Sequence, residues 1–402
     1  MSQQIADRLV GGPICAVVDP PNPIRGIQPA RCHVTRRSDR ARCHPNRGLN
    51  AALSAFALTM AMLAGCASTG ITADLVYYPS PPTPAHVVHL KSFDRLADLV
   101  PAKPSFLDMI RGTGAGPFVV SPAGIAYSNP NLYICDTGAG VVLVWNLTTG
   151  EGSVVGGIKT AALVKPVAVA VDDDGAVFVA DTGRGEVVAF GADGNSLRSF
   201  KPDGRDAYQP VAVAVRRGKL FVADIAAHTI DVFSTIDGAQ VGSFGSPGSD
   251  LGDLYFPTGV ATDVAGRVYV SEMMNGRVQV FDANGEAMLA MGQPGDRYGD
   301  MAQPKHLAVG PDGVIFIADA QFAHVHLFDG EGRFLMLLGG GDAPFGNTPM
   351  PLGVTVAPMV PDNIAALVPI DFAADYYLFV SNRIGPRRIG LFAVGSANTV
   401  SP

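Results

Sequence analysis

The stretch PVAVAVDDDGAVFVADTGRGEVVAF, residues 166–190, decides the fold of this chain. It contains three short runs rich in β-branched and aromatic residues, separated by turns that contain glycine. The same order recurs six times, and successive copies start 44 or 47 residues apart. The copies begin at Pro122, Pro166, Pro210, Pro257, Pro304 and Pro351. Internal repetition at this period indicates a repeat architecture rather than several unrelated domains.

Each copy provides four short strands, because a fourth run such as Ser196–Phe200 follows another glycine turn. A single four-stranded sheet cannot bury both of its faces, whereas sheets stacked around an axis bury them and keep only short edges. We therefore predict an all-β six-bladed β-propeller with four-stranded antiparallel blades. The second run ends in an acid in five copies and in Asn382 in the sixth, and we expect these side chains to accept N–H bonds from the next turn. The acids are Asp136, Asp181, Asp224, Glu272 and Asp319.

The repeated pattern P-x-G-V-A-V … V-Y-V-A-D-T-G … R-V-Q-V-F … D-x-x-G resembles the NHL repeat. The match is close at residues 166–190 and 257–281, and the resemblance covers residues 122–392. The segment LVYYPSPPTPAHVVHLKSF, residues 75–93, also resembles the start of bacterial six-bladed NHL lipoproteins. The resemblance implies an NHL-type propeller at the cell envelope.

The sixth copy departs from the others in two ways. About sixteen residues, from about Pro361 to Asp375, are inserted between its first two strands, and only AVGSANTVSP remains after its third strand. The segment His86–Phe93 ends in the same -L-(K/R)-S-F as the fourth strand of the second copy. We therefore predict that this N-terminal strand closes the ring by pairing with Arg388–Phe392. The apolar spacing of Phe106–Ile110 predicts a short helix packed on the ring.

An apolar run lies ahead of the repeats. Residues 49–64 are apolar apart from three polar side chains, follow an arginine-rich stretch and lead into Leu63-Ala64-Gly65-Cys66, which resembles a bacterial lipobox. The run is too short to span a bilayer comfortably and has the layout of a secretory signal. Cys66 is therefore the predicted lipid attachment site. The predicted segments are an unstructured extension or a misplaced start (1–48), a signal peptide with its lipobox (49–65), a lipidated cysteine with a proline-rich spacer (66–84), the propeller (85–396) and a tail (397–402).

Charge and cysteine content agree with an envelope location. Residues 1–65 carry a formal charge of +5 and the remainder −12, which makes nucleic acid a poor candidate partner. Cys135 is the one cysteine after position 66, so it can form no disulfide within the processed chain, and we expect it to be buried in a strand. With Ala67 after the cysteine, the resemblance to bacterial lipoproteins implies an outer-membrane lipoprotein facing the periplasm, with exposure at the cell surface left open.

The sequence offers little for catalysis. It has no nucleophile elbow, phosphate loop, Cys-x-x-Cys or His-Glu-x-x-His pattern, so we expect no catalytic residues, metal or cofactor. His306 is the candidate channel residue, because it stands two places after a repeat proline where the other copies have Gly or Ala. The NHL resemblance includes a zinc enzyme class, the peptidylglycine amidating lyases, whose metal is held by channel histidines. A catalytic zinc needs three protein ligands, and His306 alone lies at such a position, so zinc or calcium in the channel is a weak alternative.

The turns between second and third strands form one rim of the predicted ring, and we place the candidate binding residues there. They are His228, Met273, Met274, Arg277, Phe322, His324 and Arg387. Exposed soft apolar side chains such as methionine are common at interaction surfaces. The alternative interpretation of these residues is that they pack against neighbouring loops. The sequence thus predicts a lipid-anchored, non-catalytic scaffold for an envelope protein, peptide or glycan. The alternative is a metal-dependent enzyme, a lyase or a lactonase-like hydrolase, with its site in the central channel.

Overall fold

Six antiparallel sheets form the described part of the chain. The structure, a computed structural model, describes residues 75–80, 83–100, 118–156, 162–340 and 346–397. Five sheets have four strands and the sixth has five. The predicted signal segment, Cys66 and the predicted helix at Phe106–Ile110 lie outside the described residues. Within the described ranges, no helix has the length and apolar character needed to cross a bilayer.

The strands follow the order of the repeats. The N-terminal elements are β1 (Val76–Tyr78), β2 (Val87–Phe93) and helix α1 (Leu96–Leu99). Blades 1 and 2 consist of β3 (Pro122–Ser128), β4 (Asn131–Asp136), β5 (Val141–Asn146) and β6 (Gly152–Val155), then β7 (Pro166–Val171), β8 (Val177–Asp181), β9 (Glu186–Phe190) and β10 (Ser196–Phe200). Blades 3 and 4 consist of β11 (Pro210–Arg216), β12 (Lys219–Asp224), β13 (Thr229–Ser234) and β14 (Gln240–Phe244), then β15 (Pro257–Thr262), β16 (Val268–Glu272), β17 (Arg277–Phe281) and β18 (Ala287–Met291). Blade 5 consists of β19 (Pro304–Val309), β20 (Ile315–Asp319), β21 (His324–Phe328) and β22 (Phe334–Leu338). After blade 5 come β23 (Pro351–Ala357), helix α2 (Asp362–Ala365), β24 (Phe372–Asn382) and β25 (Ile389–Ala397).

Each inner strand begins at its proline. In blade 2, Pro166 pairs with Asp181, and the register then shifts so that Ala168 pairs with Ala180. The same pairing and shift occur at the start of the other five blades. Because proline has no N–H to donate, it fits at the point where the ladder is interrupted.

The core is divided into apolar clusters that lie between neighbouring blades. The cluster between blades 2 and 3, for example, contains Phe178, Phe200 and Phe233. The aromatic residue that ends the third run of each repeat is at most 2% exposed. These residues are Trp145, Phe190, Phe233, Phe281, Phe328 and Phe392. Each blade therefore depends on both neighbours for burial of its sheet faces.

Blade 6 closes the ring as the sequence predicts, with one strand more than predicted. Strand β2 pairs antiparallel with β25, so that Phe93 lies opposite Ile389. Strand β1 then pairs with β2 and adds a fifth strand at the outer edge. Because Val76–Tyr78 belongs to this sheet, the spacer prediction for residues 66–84 is wrong at these three residues.

The insertion in blade 6 is shorter than predicted. Strand β24 already begins at Phe372, so residues 372–375 extend the sheet instead of belonging to the insertion. The inserted segment contains α2, whose Ile364 is fully buried in the cluster between blades 6 and 1. The Asn363 side-chain amide donates to the carbonyl of Leu147 in blade 1 at 3.1 Å. The insertion therefore covers the junction between the last blade and the first.

Candidate functional site

The channel wall is crowded at the second residue after each inner proline. A Cβ added to Gly259 would lie 2.5 Å from the carbonyl oxygen of Lys305 in the next blade. A Cβ added to Gly353 would lie 2.6 Å from the carbonyl oxygen of Ala123. Such distances leave no room for a side chain that points along the wall, which explains why Gly or Ala occupies this position in five blades.

His306 fills the position that the other blades leave small, and its ring crosses the channel. Its Cε1 would lie 2.9 Å from a Cβ built on Gly124, which belongs to blade 1. Burial lowers the pKa of His306 to about 4, a hydrogen bond to the backbone of Val211 opposes the shift, and the nearby Lys305 lowers the pKa further. The imidazole is therefore neutral at pH 7 and links blade 5 to blades 1 and 3.

His306 also lines a cavity of about 230 Å³ in the channel. Its wall is made of inner-strand segments such as Ala168–Val171 and Ala212–Val215, whose side chains are almost all apolar. His306 is the one titratable imidazole, amine or carboxyl group among the described residues that line it. No group of three His, Cys, Asp or Glu side chains able to hold a metal ion occurs in the described ranges.

Three of the rim acids bind backbone N–H groups with both carboxylate oxygens. Asp136 is fully buried, and its carboxylate accepts N–H bonds from Val120, Ser121, Gly138 and Ala139 at 2.6–3.1 Å. Asp181 and Asp319 accept the equivalent four N–H bonds in blades 2 and 5. The prediction that the acid accepts N–H bonds from the following turn is confirmed for these three acids and for Asp224, and the three also hold the loop that enters the same blade. It is wrong for Glu272, which instead accepts bonds from the side chains of Asn275, Arg277 and Gln279 and from the backbone N–H of Tyr255.

Two of the predicted rim residues make internal hydrogen bonds. The Arg277 guanidinium donates to the Glu272 carboxylate at 2.6 Å and to the carbonyls of Ser249, Asp250 and Asp253, and only 13% of its side chain is exposed. The Arg277 side chain therefore presents little of its charge to solvent. His228 has a φ of 59°, and its Nδ1 accepts the backbone N–H of Phe256 at 2.9 Å.

The other predicted rim residues remain on the surface to different degrees. Met274 is 53% exposed, whereas Met273 is half-buried with its sulfur 3.1 Å from the Lys305 ammonium. Phe322 and His324 are half-buried in blade 5, and His324 is the first residue of β21 instead of a loop residue. Arg387 is exposed in blade 6. Met274 and Arg387 lie on different blades, so the predicted set does not form one site.

Sequence reasoning missed several exposed apolar residues on this rim. They are Phe118, Val120, Val164, Tyr255, Met350 and Ile384, each between 37% and 61% exposed. Several lie in the one or two positions before an inner proline, a signal that the repeat alignment offers. Around Met274, the ring of Tyr255 stacks on His228 with centroids 5.2 Å apart, and Met274 donates its N–H to the Tyr255 carbonyl. His228, Tyr255 and Met274 form a continuous surface, which we call the blade 4 rim patch.

The opposite end of the ring has a different chemistry. A groove of about 860 Å³ runs between blades 1 and 2, beside the short strand β6 with its small residues Gly152 and Ser153. Four exposed acids line it, and no Lys, Arg or His occurs among the described residues of its wall. These acids are Glu151, Asp173, Asp174 and Asp193.

Solved structures with a similar fold come from proteins of different kinds. One is a Bacteroides thetaiotaomicron protein of unknown function, 16% identical, with a TM-score of 0.51 over 69% of this chain and 70% of that chain. Virginiamycin B lyase from Staphylococcus aureus is 13% identical, with a TM-score of 0.49 over 68% of this chain and 95% of its own. A gluconolactonase from Xanthomonas campestris is 16% identical, with a TM-score of 0.49 over 77% and 90%. No protein-family model matches the chain. Similarity at this level supports the propeller fold alone, and the NHL resemblance stays a prediction.

Proposed function

We propose that this protein is a lipid-anchored cell-envelope protein whose propeller is a non-catalytic scaffold for a protein, peptide or glycan. The anchor is the acylated Cys66 of the lipobox-like segment, and the binding surface is the rim that carries the turns between second and third strands. The exposed blade 4 rim patch is the observation that carries the proposal. Its side chains are apolar or aromatic, and such surfaces are enriched at interaction sites.

The rim acids support a binding role over a catalytic one. Asp136, Asp181 and Asp319 are fully buried and saturated with backbone N–H bonds, so they are held as structural anions. A general acid or base must reach a substrate proton, which these carboxylates cannot do in this arrangement. The side chains that do face solvent on the rim offer contact area instead of reactive groups.

A crosslinking pull-down from envelope membranes tests the proposal. We expect Met274→Asp to reduce capture of the partner about tenfold, because a charge placed at a desolvated contact is costly. Met288→Asp is the matched control, since Met288 is 57% exposed on the outer strand of the same blade and Met274 is 53% exposed on the rim. If neither variant lowers capture of the partner, or if both lower it by the same factor, a binding role for the rim is contradicted.

The second candidate is a metal-dependent enzyme, a lyase or a lactonase-like hydrolase, with its site in the channel. It is favoured by the neutral imidazole of His306 in the wall of the channel cavity, since neutral imidazole is a common metal ligand. Elemental analysis of the purified protein tests it. Stoichiometric zinc or calcium that is lost in His306→Ala but kept in His86→Ala, a change at an exposed histidine, would favour the enzyme over the scaffold.

A further inference from the structure

A second rim surface lies where blade 6 meets blade 1. It consists of Arg95, Phe118–Val120, Met350 and Arg383–Arg387, and we call it the seam patch. The Asp94 carboxylate ties its parts together, because it accepts the backbone N–H groups of Arg387 at 3.0 Å and Arg388 at 2.6 Å. Arg383 donates its N–H to the Met350 carbonyl, and Arg95 forms a β-bridge with Phe118. These bonds make the seam patch one continuous surface.

The seam patch combines exposed apolar side chains with exposed arginines. Phe118 is 55% exposed, Ile384 52%, Val120 43% and Met350 37%. Arg95, Arg383 and Arg387 are exposed among them, and the Arg95 guanidinium lies 6.0 Å from the centre of the Phe118 ring. The Asp94 carboxylate keeps its negative charge, and the exposed Asp98 accepts the backbone N–H of Arg95 at 3.2 Å, so these two acids offset part of the charge of the arginines. Apolar side chains next to basic ones are the composition of surfaces that bind in the headgroup region of anionic bilayers.

The blade 4 rim patch lacks this basic character. Its neighbouring arginine, Arg277, is neutralised by Glu272 and mostly covered. The end of the ring opposite the rim carries the acidic groove between blades 1 and 2. Because the chain from residue 66 onward has a formal charge of −12, an exposed basic and apolar surface is a local exception. An anionic bilayer would attract the seam patch and repel the opposite end of the ring.

The N-terminal end of β1 lies at the end of the ring that carries the seam patch. Strand β1 is antiparallel to β2, with Val76 opposite His89 and Tyr78 opposite Val87. Since β2 runs on to Phe93 and Asp94, Leu75 lies at the end of β1 that is nearer to the seam patch than to the acidic groove. Eight residues lie between Cys66 and Leu75, so the two residues can be about 30 Å apart at full extension. An acyl chain on Cys66 would hold the bilayer within reach of the seam patch.

We propose that the seam patch docks on the anionic lipid surface to which Cys66 is attached. The apolar side chains enter the headgroup region and the three arginines contact lipid phosphates. The propeller then stands on its blade 6–blade 1 junction, and the blade 4 rim patch on the far side of the ring stays available to a partner. This inference rests on the anchor in the proposed function, and it adds a second contact and an orientation.

Spin labelling of the lipidated protein in vesicles tests the docking. A nitroxide on Ile384→Cys reports from the patch, and one on Ile370→Cys, 99% exposed in the blade 6 insertion, is the control. Cys135 is buried, so the label goes to the introduced thiol. In phosphatidylglycerol-containing vesicles we expect collisions of a water-soluble nickel complex with the label at 384 to fall about threefold relative to detergent, because the patch enters the interface. The label at 370 should stay unchanged.

Charge reversal separates the lipid contact from other causes. Arg383→Glu combined with Arg387→Glu should restore the collision rate at 384 without lowering the melting temperature, because the bonds that hold this loop use backbone N–H groups. Equal collision rates in detergent and in anionic vesicles would overturn the docking. A fall that is as large in phosphatidylcholine vesicles would overturn the anionic lipid, and a fall that needs added envelope proteins would assign the patch to a protein partner.

Failure of the anchor gives a different signature. The mass of the N-terminal peptide shows directly whether Cys66 is acylated. If it is not acylated, the anchor is wrong, and flotation of the isolated protein with the same vesicles still tests the patch. Flotation that the double arginine reversal abolishes supports the docking, and absence of flotation overturns it.

Discussion

Blades 2 to 5 are each built from one continuous stretch of chain, whereas blade 6 combines strands from both ends of the described chain. In blade 2, four consecutive strands are joined by short turns, so each pairing closes a small loop. In blade 6, the pairing of β2 with β25 brings together residues about 300 positions apart, and Asp94 contacts Arg387 across 293 positions. Closing so long a loop costs more chain entropy than closing a hairpin.

The extra elements of the protein are concentrated at this junction. The fifth strand β1, the insertion with α2 and the bonds of Asp94 all lie at blade 6 or between blades 6 and 1. The Tyr77 hydroxyl also donates to the Asp371 carboxylate, which connects β1 to the insertion. Blades 2 to 5 contain no comparable additions in the described residues. We infer that the added contacts offset the entropy of a non-local closure, and the predictions below test that comparison.

The largest effect is expected from removal of β1 and β2. Deleting residues 75–93 removes Val87, Val88 and Phe93, whose side chains are completely buried, and leaves β25 with an open edge. We expect the melting temperature to fall by more than about 10 °C, measured by calorimetry. Leu75→Ala, a change at a residue 42% exposed, should leave the melting temperature unchanged. An unchanged melt of the deletion would show that blade 6 does not need its N-terminal strand.

The next effect concerns the insertion. Ile364→Ala removes a fully buried side chain from the cluster between blades 6 and 1, and we expect it to lower the free energy of unfolding by about 3–4 kcal/mol. Ile370→Ala is the matched control, because Ile370 lies in the same insertion and is 99% exposed. Its effect should stay within about 0.5 kcal/mol. Denaturant titration of both variants measures the difference, and equal effects would mean that the insertion does not stabilise the junction.

Ring closure could be predicted from the sequence because the closing strand repeats a pattern seen elsewhere in the chain. Residues 86–93 end like the fourth strand of blade 2, and blade 6 visibly lacks that strand. Strand β1 could not be predicted, because three residues followed by Pro79 show no periodicity and pair only through the free edge of β2. The insertion was visible as extra length, but its contacts with blade 1 depend on tertiary packing.

The candidate site was predictable to a smaller extent. The break in the small-residue pattern placed His306 at the channel, whereas the approach of its ring to Gly124 needed the structure. Arg277 looks like a rim charge in the sequence, because nothing local shows that the loop at Ser249–Asp253 folds over its guanidinium. The seam patch joins segments from residues 95, 118 and 383, and only the closed ring brings them together.

Acid should weaken the closing blade through His89. Burial lowers its pKa to about 4, with a smaller opposing contribution from a hydrogen bond to the Lys91 backbone and a further lowering by Arg387. Below pH 6.5 the unfolded chain binds a proton at this site while the folded protein does not, so stability is lost as the pH falls from about 6.5 to 4 and is unaffected above that window. Between pH 7 and pH 4.5 we expect His89 to account for a loss of about 2–3 kcal/mol.

Denaturant titrations at several pH values measure this contribution. His89→Gln should reduce the pH dependence, whereas His86→Gln, a change at an exposed histidine three residues away, should leave it as it is. Burial also lowers the pKa of His326 in blade 5, so part of the acid sensitivity should remain in His89→Gln. Identical pH dependence in both variants would place the acid sensitivity outside the closing blade.

The smallest effect is expected at the channel side of the junction. A Cβ on Gly353 would lie 2.6 Å from both the Ala123 carbonyl and the Ser381 hydroxyl, which itself donates to that carbonyl at 2.5 Å. Gly353→Ala should therefore cost about 2 kcal/mol in denaturant titration, because the inner strands of blades 6 and 1 must move apart. Gly242→Ala in β14, where no atom lies within 4 Å of the added Cβ, should be neutral or slightly stabilising.

Gly259 extends this test to a continuous junction, because it meets Lys305 between blades 4 and 5 as Gly353 meets Ala123. The two alanine variants introduce the same clash, so a difference between them isolates the effect of chain connectivity. If blade 6 is held mainly by its added contacts, Gly353→Ala should also speed unfolding more than Gly259→Ala, since strand separation at the seam is the easier first step. Equal unfolding rates for the two variants would show that the closed ring distributes strain evenly and that the seam is no weaker than the other junctions.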